Sequence, residues 1–169
     1  MCAEQQGAGR QYLRDAIAAA AHFTILVAHR TPGATFMTTV FSRIIAGELP
    51  CAKVFEDDLV FAFMDAGQVN PGHVIVASKA PFETLMDADE ATARAMMAAA
   101  WRIARAVQEA FAPAGMTILQ ANKAAGWQTV PHLHLHVLPR HADDGVDLTW
   151  PRQEPGLERL RELAAKIRL

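Results

Sequence analysis

Polar and apolar positions alternate strictly near the C-terminal third of the chain, where His132, His134 and His136 are separated by Leu133 and Leu135 and followed by Val137. A period of two sends successive side chains to opposite faces of a β-strand. The aliphatic set therefore predicts a buried face. The three imidazoles share the other face, with neighbours about 6.6 Å apart at about 3.3 Å rise per residue. Ala52–Phe55 and Leu59–Met64 also read as strands, joined by the polar turn Glu56-Asp57-Asp58. His73–Ala77, apolar after its first residue, and Met116–Asn122 complete a set of five. Asp87 or Asp89 can cap a long helix running to about Ala112, with Met96, Met97, Trp101, Ala104 and Val107 on its apolar face. Pro113-Ala114-Gly115 stops it. Thr38 or Thr39 can cap a short helix through Ala46, closed by Gly47 and Pro50. The connections are mostly short enough for hairpins. The pattern predicts an α+β domain with a mainly antiparallel sheet of about five strands, one long helix and a short N-terminal helix.

A length of 169 residues suits one domain with extensions. Residues 1–36 read as an N-terminal extension. They hold an Ala-rich patch, a candidate helix at Tyr12–Val27, and the loop signature His29-Arg30-Thr31-Pro32-Gly33-Ala34. Residues 37–142 form the predicted domain. Residues 143–169 form a tail with Trp150-Pro151 and a helix at Leu157–Ile167. Apolar residues at 51% and charged residues at 20% favour a packed core over global disorder. The net charge of −2 and the lack of a basic stripe argue against a nucleic-acid partner. Cys2 and Cys51 are too few for a disulfide framework or a four-cysteine zinc site, which fits a reducing, cytoplasmic setting. The longest apolar stretch, Ala16–Ala28, is interrupted by His22 and Thr24, so no membrane span is expected. Glu4 and Asp15 spoil its positive flank, so it is a poor signal peptide.

An imidazole titrates near neutrality and can act as nucleophile, proton donor or ligand, so three in register point to chemistry rather than packing. His132 to Leu138 matches a His-x-His-x-His-x-x motif. It is preceded in order by Phe41-Ser42-Arg43-Ile44-Ile45-Ala46-Gly47-Glu48-Leu49-Pro50, Phe55-Glu56-Asp57-Asp58, Phe63-Met64-Asp65, Asn70-Pro71-Gly72-His73 and Gln128-Thr129-Val130. This ordered set resembles the histidine-triad (HIT) family, in its bacterial Hint-like branch, over about residues 38–141. Members are nucleotidyl hydrolases and transferases, commonly homodimers, acting on the α-phosphate of purine nucleotide conjugates.

The resemblance implies His134 as nucleophile, forming a nucleotidyl-histidine intermediate that water resolves. It implies His136 as donor to a phosphate oxygen, with His132 and His73 orienting the others. Thr129 falls near the phosphate and leaving group, with Gln128 a further polar candidate. Asp65 resembles the ribose ligand, and Phe41, Ile44 and Phe63 the purine slot. Asn122 matches a position that approaches ribose or phosphate. No cofactor or metal is expected. Many bacterial relatives hold a structural zinc with a Cys-x-x-Cys pair where this chain has Thr39 and Ser42, and a second histidine where it has Pro81. The leading expectation is hydrolysis of a purine nucleoside phosphoramidate or related 5′-phosphate conjugate. The alternative within enzymes is a diadenosine polyphosphate hydrolase, toward which Gln-Thr-Val and the trailing Leu-Pro-Arg lean. Two other classes remain: a metal-dependent enzyme ligating through His132, His134 and His73, and a nucleotide-binding partner protein without important turnover.

Overall fold

A computed structural model describes residues 38–168. The expectations for residues 1–36, including the Tyr12–Val27 helix, lie outside the described residues. The elements in order are α1 (Val40–Ile45), β1 (Lys53–Glu56), β2 (Val60–Met64), β3 (Val74–Ser78), α2 (Glu90–Phe111), β4 (Gly115–Gln120), β5 (His134–Arg140) and α3 (Leu157–Ala164). The strands form one sheet in the order β1-β2-β3-β5-β4. Every neighbouring pair is antiparallel.

The sheet separates two apolar layers because each strand alternates. On one face Val60, Ala62, Val74, Val76, Leu133, Leu135 and Val137 meet α2 through Met96, Ala99, Ala100, Ile103 and Val107. Burying each large aliphatic side chain is worth about 1.5–3 kcal/mol, so this layer carries most of the fold. On the other face Phe61, Phe63, Ile75 and Ala77 meet Phe41, Ile44 and Ile45 of α1. That second layer covers only part of the sheet and leaves room beside it for the histidines.

Two details correct the sequence expectation. The buried stripe of α2 follows positions 96, 99, 100, 103 and 107, a helical period; Met97 and Trp101 lie on its outer side, 54% and 59% exposed. At about 100° per residue those positions fall within roughly 100° of arc, and 97 and 101 lie about 110° and 150° from its centre. In addition, β5 begins at His134, and His132 lies in the bend before it. α2 is capped at its start by Asp89, whose carboxylate accepts from Thr92 N–H at 2.7 Å. In the tail, α3 exposes every residue, Leu157 and Leu160 included. The segment before it is tied down by Asp144. Its carboxylate accepts from Arg140 Nε at 2.7 Å, Arg140 Nη2 at 3.0 Å and Asn70 Nδ2 at 3.0 Å. Those charge-assisted bonds hold the Asp144 carboxyl well below the usual carboxylate range. Among the described residues no helix is long and apolar enough to cross a membrane.

Candidate active site

Strand register decides where the imidazoles stand. His134 pairs with Ala77 and His136 with Ile75, two residues of the α1-side layer, so both rings project onto that face. His73 ends the loop into β3, beside His136. Its approach is fixed by Gly72 at φ +96°, where a Cβ would meet a Phe111 ring carbon at 2.8 Å. Only glycine fits that backbone and that contact. Gln68 clamps the same loop: its Oε1 accepts from Gly72 and His73 N–H at 3.0 and 3.1 Å, and its Nε2 donates to the Asp65 and His73 carbonyls.

The hydrogen bonds fix the tautomers. His134 Nδ1 lies 2.6 Å from the His132 carbonyl oxygen. A carbonyl only accepts, so Nδ1 carries the proton and the lone pair sits on Nε2 of the neutral ring. His132 Nε2 likewise donates to the Ser78 carbonyl at 2.7 Å, and its Nδ1 accepts from the Thr39 hydroxyl at 3.2 Å. His73 Nε2 lies 2.9 Å from His136 Nδ1 and 3.5 Å from Asp65 Oδ2. The Asp65 carboxylate favours a proton on His73 Nε2, which His136 Nδ1 can accept. His136 then carries its own proton on Nε2. His73 Nδ1 is left buried with no hydrogen-bond partner among the described residues.

Burial holds the rings neutral. It is the largest cause lowering the pKa of His73, His132 and His134 below the ordinary histidine value. His136 is lowered to about 4, by burial first and then by His134 and His73. Asp65 opposes the shift at His73, His134 and His136.

The expected site residues divide into two groups. His73, His132, His134, His136, Asp65 and Phe41 come together. The Phe41 ring stands edge-on to His134 with centroids 5.0 Å apart, and to Phe63 at 5.4 Å. Phe63 is buried in the core, and Ile44 packs against the same cluster. Asn122 and Gln128 have hydrogen-bond partners outside this group. Asn122 Oδ1 accepts from Leu85 N–H, and its amide bonds to Gln120. Gln128 bridges Lys123 N–H and the Glu83 carbonyl. Thr129 is exposed. The sequence reading missed the Ser78 carbonyl, because a backbone acceptor leaves no residue-type signal. It also missed the Thr39 hydroxyl as a partner of His132, although a helix cap was legible there.

Neither metal arrangement raised by the sequence fits. Thr39 and Ser42 form a capping box at α1, with Ser42 N–H donating to Thr39 Oγ1 and Thr39 N–H to Ser42 Oγ. These hydroxyls are no substitute for thiolates, and Pro81 offers no donor. Both nitrogens of His132 and the Nδ1 of His134 are taken by hydrogen bonds, so the HxH pair is not poised as a ligand pair.

A five-stranded antiparallel sheet with a long helix on one face and tautomer-fixed histidines beside a short helix on the other defines a histidine-based site on an α+β scaffold. The family model described as HIT domain matches residues 46–143, and the chain belongs to the HIT family. It is 38% identical to Protein hit of Bacillus subtilis, over 66% of this chain and 77% of that one. It is 28% identical to the adenosine 5′-monophosphoramidase hnt1 of Schizosaccharomyces pombe, over 78% of this chain and 96% of that one. A crystal structure of a HIT family protein from Bacillus anthracis superposes with a TM-score of 0.75 at 32% identity, covering 78% and 96% of the two chains.

Proposed function

We propose that this protein hydrolyses purine nucleoside 5′-phosphate conjugates, of the nucleoside phosphoramidate type, through a nucleotidyl-His134 intermediate. The observation that carries the reading is the bond from His134 Nδ1 to the His132 carbonyl, which leaves Nε2 as a lone pair on a neutral ring. In the first step that lone pair attacks the α-phosphorus, a phosphorus–nitrogen bond forms, and the bond to the leaving group breaks. In the second, water attacks the same phosphorus and releases the nucleoside monophosphate, restoring His134. Splitting the displacement lowers each barrier. His136 Nε2–H donates to a phosphate oxygen as charge grows on it, backed by His73. Asp65 holds the ribose and Phe41 flanks the base. The adenosine 5′-monophosphoramidase name of the fission-yeast relative supports the substrate class.

Incubation with adenosine 5′-phosphoramidate tests the reading. AMP should accumulate with wild type and not with His134→Asn, while the variant still binds AMP. Equal turnover by both proteins, or hydrolysis of diadenosine polyphosphates with none of the phosphoramidate, would overturn it.

A further inference from the structure

We infer that Asn70 is a positioning residue of this site: anchored on Asp144, it ties the loop that carries His73 to the strand that carries His136. The two rings arrive from different segments. His136 belongs to β5, whereas β3 begins at Val74. The β3–β5 ladder ends with Val74 opposite Val137, so His73 stands one residue outside it. Toward β2, the His73 carbonyl accepts from Asp65 N–H at 3.0 Å and from Gln68 Nε2 at 2.6 Å. Toward β5, the link is Asn70. Its carbonyl accepts from His73 N–H at 3.1 Å, and its Nδ2 donates to the Pro139 carbonyl at 2.8 Å. Pro139 lies on β5, beyond His136 on the same strand. Between Asn70 and His73 there is little slack. The ring of Pro71 locks its own φ, and Gly72 lies at φ +96° hard against Phe111.

The position requires a donor, not merely a side chain of that size. Nδ2 carries two protons, and each meets a group that can only accept: the Pro139 carbonyl and, at 3.0 Å, Asp144 Oδ2. Asp144 is itself immobilised. Its side chain is 3% exposed and accepts from Arg140 Nε and Nη2 and from the N–H groups of His141 and Val146. Charge-assisted bonds are about twice as strong as neutral ones, so Asn70 is held against a fixed point. Asn70 is 9% exposed, and a bond lost there leaves buried acceptors without a partner.

The consequence for turnover rests on the function proposed above, whereas the positioning does not. His73 backs His136 only while its Nε2 stays 2.9 Å from His136 Nδ1. A misplacement of about 1 Å can cost on the order of 100-fold in rate.

NMR of the full chain tests the positioning without substrate. Wild type should show a downfield proton on His73 Nε2, coupled across the hydrogen bond to His136 Nδ1. The side-chain amide protons of Asn70 should be protected from exchange. Asn70→Ala should lose the coupling, with the amide shifts of α2 unchanged. Asn70→Asp, the same size, should lose it too, because three acceptor groups then face one another. Val69→Ala, an exposed position in the same loop, should match wild type. With adenosine 5′-phosphoramidate, both Asn70 variants should lower kcat at least about tenfold and leave KM within about twofold. Wild-type coupling in both Asn70 variants, or equal loss in Val69→Ala, would overturn the proposal. Should neither Asn70 variant fold, the wild-type chain still decides, since freely exchanging Asn70 amide protons would overturn it. Lost coupling with wild-type kcat would overturn its bearing on turnover. Coupling that depends on Asn70 in a chain that hydrolyses nothing would reject the proposed function and leave the role of Asn70 standing.

Discussion

His136 stands where three rings and a carboxylate meet, and its protonation state decides what the site can do. Its pKa is lowered to about 4, first by burial. An unfolded histidine titrates near 6.5. The folded value lies below the unfolded one, so between the two the unfolded chain binds more protons. The stability this ring contributes is fully present above about pH 6.5 and is lost as pH falls toward 4. His73, His132 and His134 shift in the same direction. We expect the unfolding midpoint to drop steadily from pH 7 to pH 4.5, and the ¹⁵N shifts of His136 to remain those of a neutral ring at pH 6. A His136 ring half protonated near pH 6.5 would contradict the burial argument. Asp65 carries the second residue-scale prediction. If its carboxylate accepts from the ribose hydroxyls, adenosine conjugates should outpace their 2′- and 3′-deoxy analogues, and Asp65→Ala should erase most of that difference. An unchanged preference in the variant would reduce Asp65 to a turn residue, a role its bond to Gly67 N–H already fills.

At the scale of elements, α1 links the cap of a helix to the tautomer of a histidine of the candidate site. Thr39 Oγ1 accepts from Ser42 N–H at 3.1 Å and donates to His132 Nδ1. Thr39→Ala should cost about 0.5–2 kcal/mol of stability through the lost cap, measurable by denaturant unfolding. It should also lower turnover, since His132 orients the carbonyl that holds His134. A variant with lost stability and wild-type turnover would confine Thr39 to capping. Much of this level was legible in the sequence. Alternation marked β5, the pairs Thr38/Thr39 and Asp87/Asp89 narrowed each cap to two residues, and Gly-Pro punctuation marked the turns. What was hidden depends on contacts distant in sequence. Nothing local says that Ser78 supplies the acceptor for His132, or that Asn122 bonds to Leu85 and Gln120 and Gln128 to Lys123 and Glu83. Asp144 was hidden too, since a lone aspartate in a polar stretch gives no sign that Arg140 and Asn70 will bury it. The stripe of α2 was half legible, because Met and Trp mark apolarity without saying which way the helix is turned.

At the scale of the molecule, that turn of α2 matters. Met97 and Trp101 are exposed on the outer side of α2, and β4, at the end of the strand order, leaves one edge open and Ile118 exposed. Exposed apolar side chains together with an open strand edge make a surface in need of cover. We expect a two-fold homodimer across it. Light scattering should give twice the chain mass for wild type and a shift toward monomer for Trp101→Glu; a monomeric wild type would reject the dimer. A chain starting at Met37 should remain dimeric and active, and loss of either property would show that residues 1–36 belong to the working unit. The free Nε2 of His134 is the centre of the proposed chemistry, and one measurement on the intact chain addresses it directly. Acid quench within milliseconds of mixing with adenosine 5′-phosphoramidate, followed by intact-mass analysis, should show the wild-type chain carrying one adenylyl group that fades as AMP appears. His134→Asn should carry none. An adduct on the variant, or AMP formed by wild type with no adduct at any quench time, would contradict the assignment of His134 as nucleophile.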